Sequence, residues 1–260
     1  MRILLTGSSR GIGRGIAEKL ARPGNALALC ASRPSADLDS VAAACRAKGA
    51  TVAALTGDLE EPATPPRLVA EAVAALGGID GVVSNAGIAV PGSLSDYPQA
   101  TWDRVFAVNV RSAWLLASAA QPHLAASGGG AFVAVASMSG VEPYPGVGAY
   151  SASKAALIML VRTLALEWAA SGVRANCVSP GLFLSAMTAP IYADPEKKAA
   201  REALIPMHRV GDPARDFAGL VEFMLSPDAG YITGQNVLAD GGLIGSVQAQ
   251  IAGRPHSGGE

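Results

Sequence analysis

Ser137, Tyr150 and Lys154 share one stretch of the chain, SMSGVEPYPGVGAYSASK. The tyrosine lies thirteen positions after the serine, and the lysine four after the tyrosine. A helix starting at Tyr150 puts Tyr150 and Lys154 on one face, one turn apart. A lysine ammonium beside a phenol favours the phenolate and lowers the tyrosine pKa from about 10 towards working pH. A hydroxyl tuned in this way can pass a proton to or from an alcohol or ketone oxygen. Ser137 can hydrogen-bond the same oxygen. Such a site needs a hydride donor or acceptor beside it. Taken alone, Tyr-x-x-x-Lys is also what two common surface residues produce by chance on a helix, so its meaning depends on the rest of the chain.

The start of the chain offers a place for a dinucleotide. Ile3-Leu4-Leu5 is an apolar run ending in Thr6-Gly7, followed by the loop Gly7-Ser8-Ser9-Arg10-Gly11-Ile12-Gly13. Ile12, Ile16 and Leu20 then recur every four residues, as on one face of a helix. Glycines let the backbone turn tightly and approach a ligand. The N-terminus of the helix presents unpaired N–H groups to a phosphate. Gly7, Ser9, Arg10, Gly11, Ile12 and Gly13 are therefore candidate cofactor contacts. The spacing is G-x-x-x-G-x-G rather than the usual G-x-G-x-x-G, and a plain structural turn is the alternative.

The end of the second apolar run, Ala26 to Ala31, is where a dinucleotide fold discriminates between cofactors. An acid there would accept from a ribose 2′-OH and repel a 2′-phosphate. The chain reads Ala31-Ser32-Arg33-Pro34, with no acid before Asp37. Arg33, helped by Arg10, could pair with a 2′-phosphate. This favours NADP(H), with NAD(H) as the second choice; both arginines could equally be solvated surface charges. Asp58 and Leu59 are placed to touch an adenine, or Asp58 caps a turn. Asn85-Ala86-Gly87 ends the fourth strand with small residues under which a cofactor could lie. Asn109, between two valines, is either a satisfied core amide or the holder of a water in a proton relay.

These groups must be carried by alternating strands and helices. Strands are expected at Ile3–Leu5, Ala26–Ala31, Thr51–Leu55, Ile79–Ser84, Ala131–Ala136, Val173–Val178 and Val237–Ala239. Helices are expected over Asp39–Lys48, Leu68–Leu76, Trp102–Ala120, Tyr150–Ala169 and Ala214–Leu225. The Pro-rich Glu61–Pro66 reads as a loop. Residues 182–213 carry prolines and a charged run, and read as a lid over substrate or a plain helical insertion. The alternation argues an α/β doubly wound parallel sheet of about seven strands in one domain, residues 1–251. The polar, Gly-rich tail 252–260 is expected to be disordered.

Composition narrows the partners. The 260 residues are 50% hydrophobic and 16% charged, with net charge −1 and mean hydropathy +0.31. That suits a large core and gives no basic excess for nucleic acid or a membrane surface. No apolar run is long enough to span a bilayer, and MRILLTGSSRG reaches glycine too early for a signal peptide. Cys30, Cys45 and Cys177 form no C-x-x-C, which fits reduced thiols in a cytoplasmic protein. The three histidines have no ligand spacing, so no metal is expected.

Thr6-Gly7-x-x-x-Gly11-x-Gly13, Asp58, Asn85-Ala86-Gly87, Asn109, Ser137, Tyr150-x-x-x-Lys154, Pro180-Gly181 and Asp240-Gly241-Gly242 stand in one order along residues 1 to about 245. In this the chain resembles the classical short-chain dehydrogenases/reductases, including 3-oxoacyl-[acyl-carrier-protein] reductases. The resemblance implies a Rossmann fold and an NAD(P)(H)-dependent oxidoreductase interconverting a ketone and a secondary alcohol. It implies Tyr150 as general acid/base, Ser137 orienting the substrate oxygen, Lys154 lowering the tyrosine pKa and binding ribose, and Asn109 keeping a relay water. Pro180 and Gly181 join the cofactor contacts, and Ser185 stands near the position of a threonine that touches the cofactor amide. Ser139, Tyr144 and Met187 are candidate substrate contacts. A homotetramer, or a homodimer, follows by analogy. A 3-oxoacyl thioester and a polyol, sugar or secondary-metabolite alcohol are the open substrate readings. A nucleotide-binding scaffold without chemistry is the alternative of another class, and the presence of all four catalytic candidates speaks against it. One departure is that Ser32 occupies the place where many NADP(H) members carry arginine.

Overall fold

The computed structural model describes residues 1–185 and 188–246. Seven parallel strands form one sheet: β1 (Arg2–Thr6), β2 (Ala26–Ala31), β3 (Thr51–Thr56), β4 (Gly81–Ser84), β5 (Ala131–Val135), β6 (Arg174–Pro180) and β7 (Asn236–Ala239). Their order is β3-β2-β1-β4-β5-β6-β7. Strands covered on both faces need no polar alternation. Accordingly β4 and β5 are buried at every residue, and β1 from Ile3 to Thr6. Helices cover both faces. Leu5, Leu27 and Val133 pack with α1 (Gly11–Leu20), α2 (Ala36–Ala47) and α9 (Ala218–Leu225). Leu4, Val82 and Phe132 pack with α3 (Thr64–Leu76), α5 (Ser112–Ala126) and α6 (Tyr150–Trp168). The strand order reverses between β1 and β4, which opens a crevice at the carboxyl ends of those strands.

Two expectations need correction. The Pro-rich loop is shorter than expected, because α3 begins at Thr64 with Pro65 and Pro66 in its first turn, where a missing N–H costs nothing. The long helix starts earlier and is broken. It runs as α4 (Gln99–Phe106), a π-helical turn (Ala107–Arg111) and α5, which continues through Pro122 to Ala126. The segment after β6 carries two helices, α7 (Ala189–Tyr192) and α8 (Pro195–Leu204), the second capped by the Asp194 side chain. Met187 and the tail 252–260 lie outside the described residues.

Candidate active site

The glycine loop is held from below. Thr6 Oγ1 accepts from the N–H groups of Asn85 and Ala86, both at 3.1 Å. Asn85 Nδ2 donates to the carbonyls of Thr6 and Gly7, both at 3.0 Å. Asn85 is thus a brace for the loop as well as a residue near the crevice. Gly7 and Gly11 have φ of +64° and +55°, where a side chain would be strained. A Cβ on Gly13 would collide with the Gly7 carbonyl oxygen. Arg10 is the N-cap of α1 and makes no side-chain capping bond, and no acid stands in the first turn. The first N–H groups of α1 therefore face the crevice without a side-chain acceptor, which suits a phosphate. Ser9 and Ile12 are half-buried on this loop.

Ser32 and Arg33 follow β2 and are exposed, as is Arg10. Among the described residues no carboxylate pairs with Arg10 or Arg33. Asp58 follows β3, is exposed, and accepts the Glu60 N–H at 3.0 Å, so it does close a turn. Leu59 is half-buried against the core on the α3 face of the sheet. These residues stand at the ends of β1, β2 and β3, the half of the crevice where an adenosine would lie.

The other half holds Ser137, Tyr150 and Lys154. Ser137 lies just beyond β5. Its Oγ accepts the Ser139 N–H at 3.1 Å and donates to Ser139 Oγ at 3.2 Å. Ser139 is buried and backs Ser137, whereas Tyr144 is 49% exposed on the open side. Tyr150 opens α6, and Lys154 follows one turn later. Lys154 Nζ donates to the Val135 carbonyl at 2.9 Å and lies 5.8 Å from the centre of the Tyr150 ring. Burial lowers the Lys154 ammonium to about 8, opposed by Cys177. Burial also raises the Tyr150 phenol above its ordinary value, hydrogen bonding with Ser137 lowers it, and Tyr144 adds to the rise. The expected lowering by Lys154 is therefore not what governs Tyr150 in the free protein. Lys154 is itself desolvated and aimed at a backbone carbonyl.

Asn109 sits in the π-helical turn and is 1% exposed. Its Oδ1 accepts from the Ile88 N–H at 2.8 Å, and its Nδ2 donates to the Ile88 carbonyl at 2.9 Å and to Ser153 Oγ at 3.0 Å. Ser153 Oγ in turn donates to the Tyr150 carbonyl at 2.7 Å. The asparagine side chain thus locks the segment after Gly87 to the first turn of α6. Ser153 was not singled out in the sequence, though its position three after Tyr150 puts it on the same helix face. A Cβ on Gly87 would lie 3.2 Å from both Asn109 Oδ1 and Lys154 Nζ, so the chain passes directly over these groups. Pro180 ends β6 and Gly181 follows, tight against Asp240. Ser185 Oγ and Thr188 Oγ1 pair at 3.0 Å.

The glycine loop follows β1, and Ser137, Tyr150 and Lys154 lie beyond β5; comparison with known proteins covers the stretch of chain that holds both. The family model described as enoyl-(acyl carrier protein) reductase covers residues 7–244. The chain belongs to the short-chain dehydrogenases/reductases. It is 39% identical over 242 residues to dehydrogenase/reductase SDR family member 4 of Bos taurus, covering 93% of this chain and 86% of the relative. A short-chain type dehydrogenase/reductase from Mycobacterium marinum superposes with a TM-score of 0.86 at 33% identity, covering 93% of this chain and 94% of the other. The NADP active-site complex of RhlG from Pseudomonas aeruginosa gives a TM-score of 0.86 at 33% identity, covering 93% and 95%. This short-chain dehydrogenase/reductase is an NAD(P)-dependent oxidoreductase acting on CH–OH groups. Among the described residues no helix is long and apolar enough to cross a membrane, and no three His, Cys, Asp or Glu gather to hold a metal.

Proposed function

We propose that the protein interconverts an apolar ketone and its secondary alcohol with NADP(H), using Tyr150 as general acid/base. The observation that carries this is the gathering of Ser137, Tyr150, Lys154 and Asn109 beyond β4 and β5: Ser137 hydrogen-bonds Tyr150, Lys154 Nζ lies 5.8 Å from the Tyr150 ring and bonds the Val135 carbonyl, and Asn109 is linked through Ser153 to the Tyr150 carbonyl. When bound, the nicotinamide supplies or accepts a hydride at the carbonyl carbon. Ser137 turns its hydroxyl from Ser139 to the substrate oxygen and stabilises charge there. Tyr150 gives that oxygen a proton in reduction and removes it in oxidation. Protonated Lys154 stabilises the phenolate at short range and reaches the ribose hydroxyls. Asn109 fixes Ile88 and the start of α6, so that a relay water has a rigid wall. Gly7, Ser9, Gly11, Ile12 and Gly13 hold the pyrophosphate side, with Asn85, Ala86, Gly87, Pro180, Gly181 and Ser185 along the ring end. Asp58 and Leu59 border the adenine.

NADP(H) is favoured over NAD(H) because Arg10 and Arg33 have no carboxylate partner among the described residues and β2 ends without an acid. The segments beside the site are apolar. Leu94, Val141, Tyr144 and Leu184 are exposed on the three stretches that follow β4, β5 and β6. Residues 88–97 and 138–149 carry two charges, Asp96 and Glu142, and no cation. Such walls suit an acyl chain, as in a 3-oxoacyl thioester, better than a polyol or a sugar acid. The assembly favoured is a homotetramer in the cytoplasm. Supporting it are the exposed Trp114, Met159 and Leu166 on α5 and α6, and the buried free thiols of Cys30, Cys45 and Cys177.

The test is Tyr150→Phe assayed with apolar ketones and with polyols. Turnover of ketones should fall by about 10² to 10⁴, the usual worth of a general acid, with NADPH affinity unchanged. Undiminished turnover would exclude the mechanism, and faster turnover of polyols by the parent protein would exclude the substrate class.

A further inference from the structure

We propose that Tyr97 is a positioning residue for Tyr150, a wedge that fixes the two chain segments closing one side of the site. The inference rests on Tyr150 being the acid/base. Tyr97 lies after β4, between a 3₁₀ turn (Leu94–Asp96) and α4, far from Tyr150 in sequence. Its Oη donates to the Val90 carbonyl at 2.7 Å, which curls its own segment around the ring. The ring then occupies the space that two glycines leave bare. A Cβ on Gly92 would lie 2.9 Å from Tyr97 Cδ2, and one on Gly148 would overlap the ring itself.

Those two glycines belong to the opposing segments. Gly92 and Val147 form a parallel bridge outside the main sheet. The Gly92 N–H donates to the Gly146 carbonyl at 3.0 Å, and the Gly148 N–H to the Gly92 carbonyl at 2.9 Å. The Val147 carbonyl accepts the Tyr150 N–H at 3.2 Å, which starts the helix that carries the phenol. A continuous line of contacts therefore runs from the Tyr97 ring through Gly148 and Val147 to the backbone of Tyr150. The wedge matters because two glycines of the delivering segment leave its backbone free to take other conformations. Gly146 and Gly148 have φ of +82° and +55°, and glycine gives the chain maximal freedom. A misplacement of about 1 Å at a reacting group can cost roughly 10²-fold in rate.

The experiment is steady-state kinetics across pH for Tyr97→Ala, Tyr97→Phe, Gly92→Ala and the double variant Gly92→Ala/Tyr97→Ala. NADPH affinity is measured alongside, with Tyr150→Phe as control. Tyr97→Ala is expected to lower kcat by about 10- to 100-fold, with NADPH affinity within twofold of the parent. It should also move the pH-rate inflection of Tyr150 upward, because a loosened phenol loses its hydrogen bond with Ser137. Tyr97→Phe keeps the ring and should restore kcat to within about threefold. Gly92→Ala should lower kcat in the parent but add nothing to Tyr97→Ala, since the clash disappears with the ring. It reads the same contact if Tyr97→Ala does not fold. Parental kcat and pH profile in Tyr97→Ala, or equal losses in Tyr97→Ala and Tyr97→Phe, overturn the proposal. So does additivity of the glycine and tyrosine changes. If Tyr150→Phe is dead while Tyr97→Ala is normal, only the wedge fails; if Tyr150→Phe stays active, the acid/base reading fails with it.

Discussion

Lys154 Nζ bonds the carbonyl of Val135 at 2.9 Å, so the lysine that follows Tyr150 by one turn is anchored to the end of the strand that delivers Ser137. The bond ties α6 to β5 at the site, at the cost of burying an ammonium group. That cost is what lowers Lys154 to about 8 from 10.5.

The lysine makes stability depend on pH in a defined direction. Between about 8 and 10.5 the unfolded chain holds a proton at this position that the folded chain has released. Stability from this group therefore rises with pH across that window, by up to about 3 kcal/mol at 1.36 kcal/mol per pKa unit. Below pH 8 the full cost is present. Burial raises Cys177 to about 12 and also raises Tyr150, and both act in the opposite sense above their ordinary values. The comparison must therefore be made against Lys154→Met at each pH. In urea unfolding, the parent should gain on the variant between pH 7.5 and pH 10. A constant difference would show that the ammonium is not desolvated.

On the proposed reading Arg10 and Arg33 select NADP(H). Both are exposed and neither has a carboxylate partner among the described residues, so each is free to take a phosphate oxygen. In a titration followed by nicotinamide fluorescence, NADPH should bind tenfold or more tightly than NADH, about 1.4 kcal/mol. Arg33→Ala should weaken NADPH and leave NADH unchanged, and Arg10→Ala should do the same to a smaller degree. Equal binding of the two cofactors by the parent would remove both arginines from the 2′-phosphate.

Asn109 holds three hydrogen bonds while almost completely buried. Truncation to alanine leaves the N–H and carbonyl of Ile88 and the Ser153 hydroxyl short of a partner. A buried group left unpaired costs about 1–3 kcal/mol. Asn109→Ala should therefore lower the thermal midpoint by roughly 2–12 °C, at about 2–4 °C per kcal/mol for a chain of this size. Ser153→Ala removes the acceptor of one Asn109 N–H and the donor to the Tyr150 carbonyl, and should cost about 1–3 kcal/mol. A midpoint unmoved in Asn109→Ala would mean water replaces the amide without loss.

The sheet was readable because its strands are apolar runs closed by glycine or serine, and the helix from Tyr150 starts at the tyrosine itself. Helix starts were harder. Pro65 and Pro66 look like loop residues, yet proline in a first turn is harmless, so α3 reaches back to Thr64. The π-helical turn at Asn109 was not legible, and its main contact is tertiary: the amide bonds Ile88, twenty-one residues earlier. The same holds for Tyr97, which meets Gly148 only after the chain has crossed the sheet and returned. The placing of Ser137 and Lys154 near Tyr150 was legible as spacing. Their burial was not, and burial is what sets the state of Tyr150 and Lys154.

The last prediction concerns the glycine loop. A Cβ on Gly13 would run into the Gly7 carbonyl oxygen and lie 2.6 Å from Asn85 Nδ2, the two atoms that bond each other at 3.0 Å. Neither can yield alone. Gly7 is held by a left-handed backbone, and Asn85 also bonds the Thr6 carbonyl. Gly13→Ala must therefore push the loop away from Asn85, opening the cradle at the N-terminus of α1. NADPH affinity should fall by about 10² or more, which is roughly 2.7 kcal/mol. Gly24→Ala is the matched control. Its φ of +84° makes a side chain strained, but no atom lies within 4 Å, so it carries the backbone cost alone. That cost is about 1–2 kcal/mol of stability with cofactor affinity intact. Thermal midpoints and NADPH titrations on the two variants separate the effects. Normal NADPH binding by Gly13→Ala would mean that the loop can relax around a methyl group and that its bond to Asn85 is dispensable.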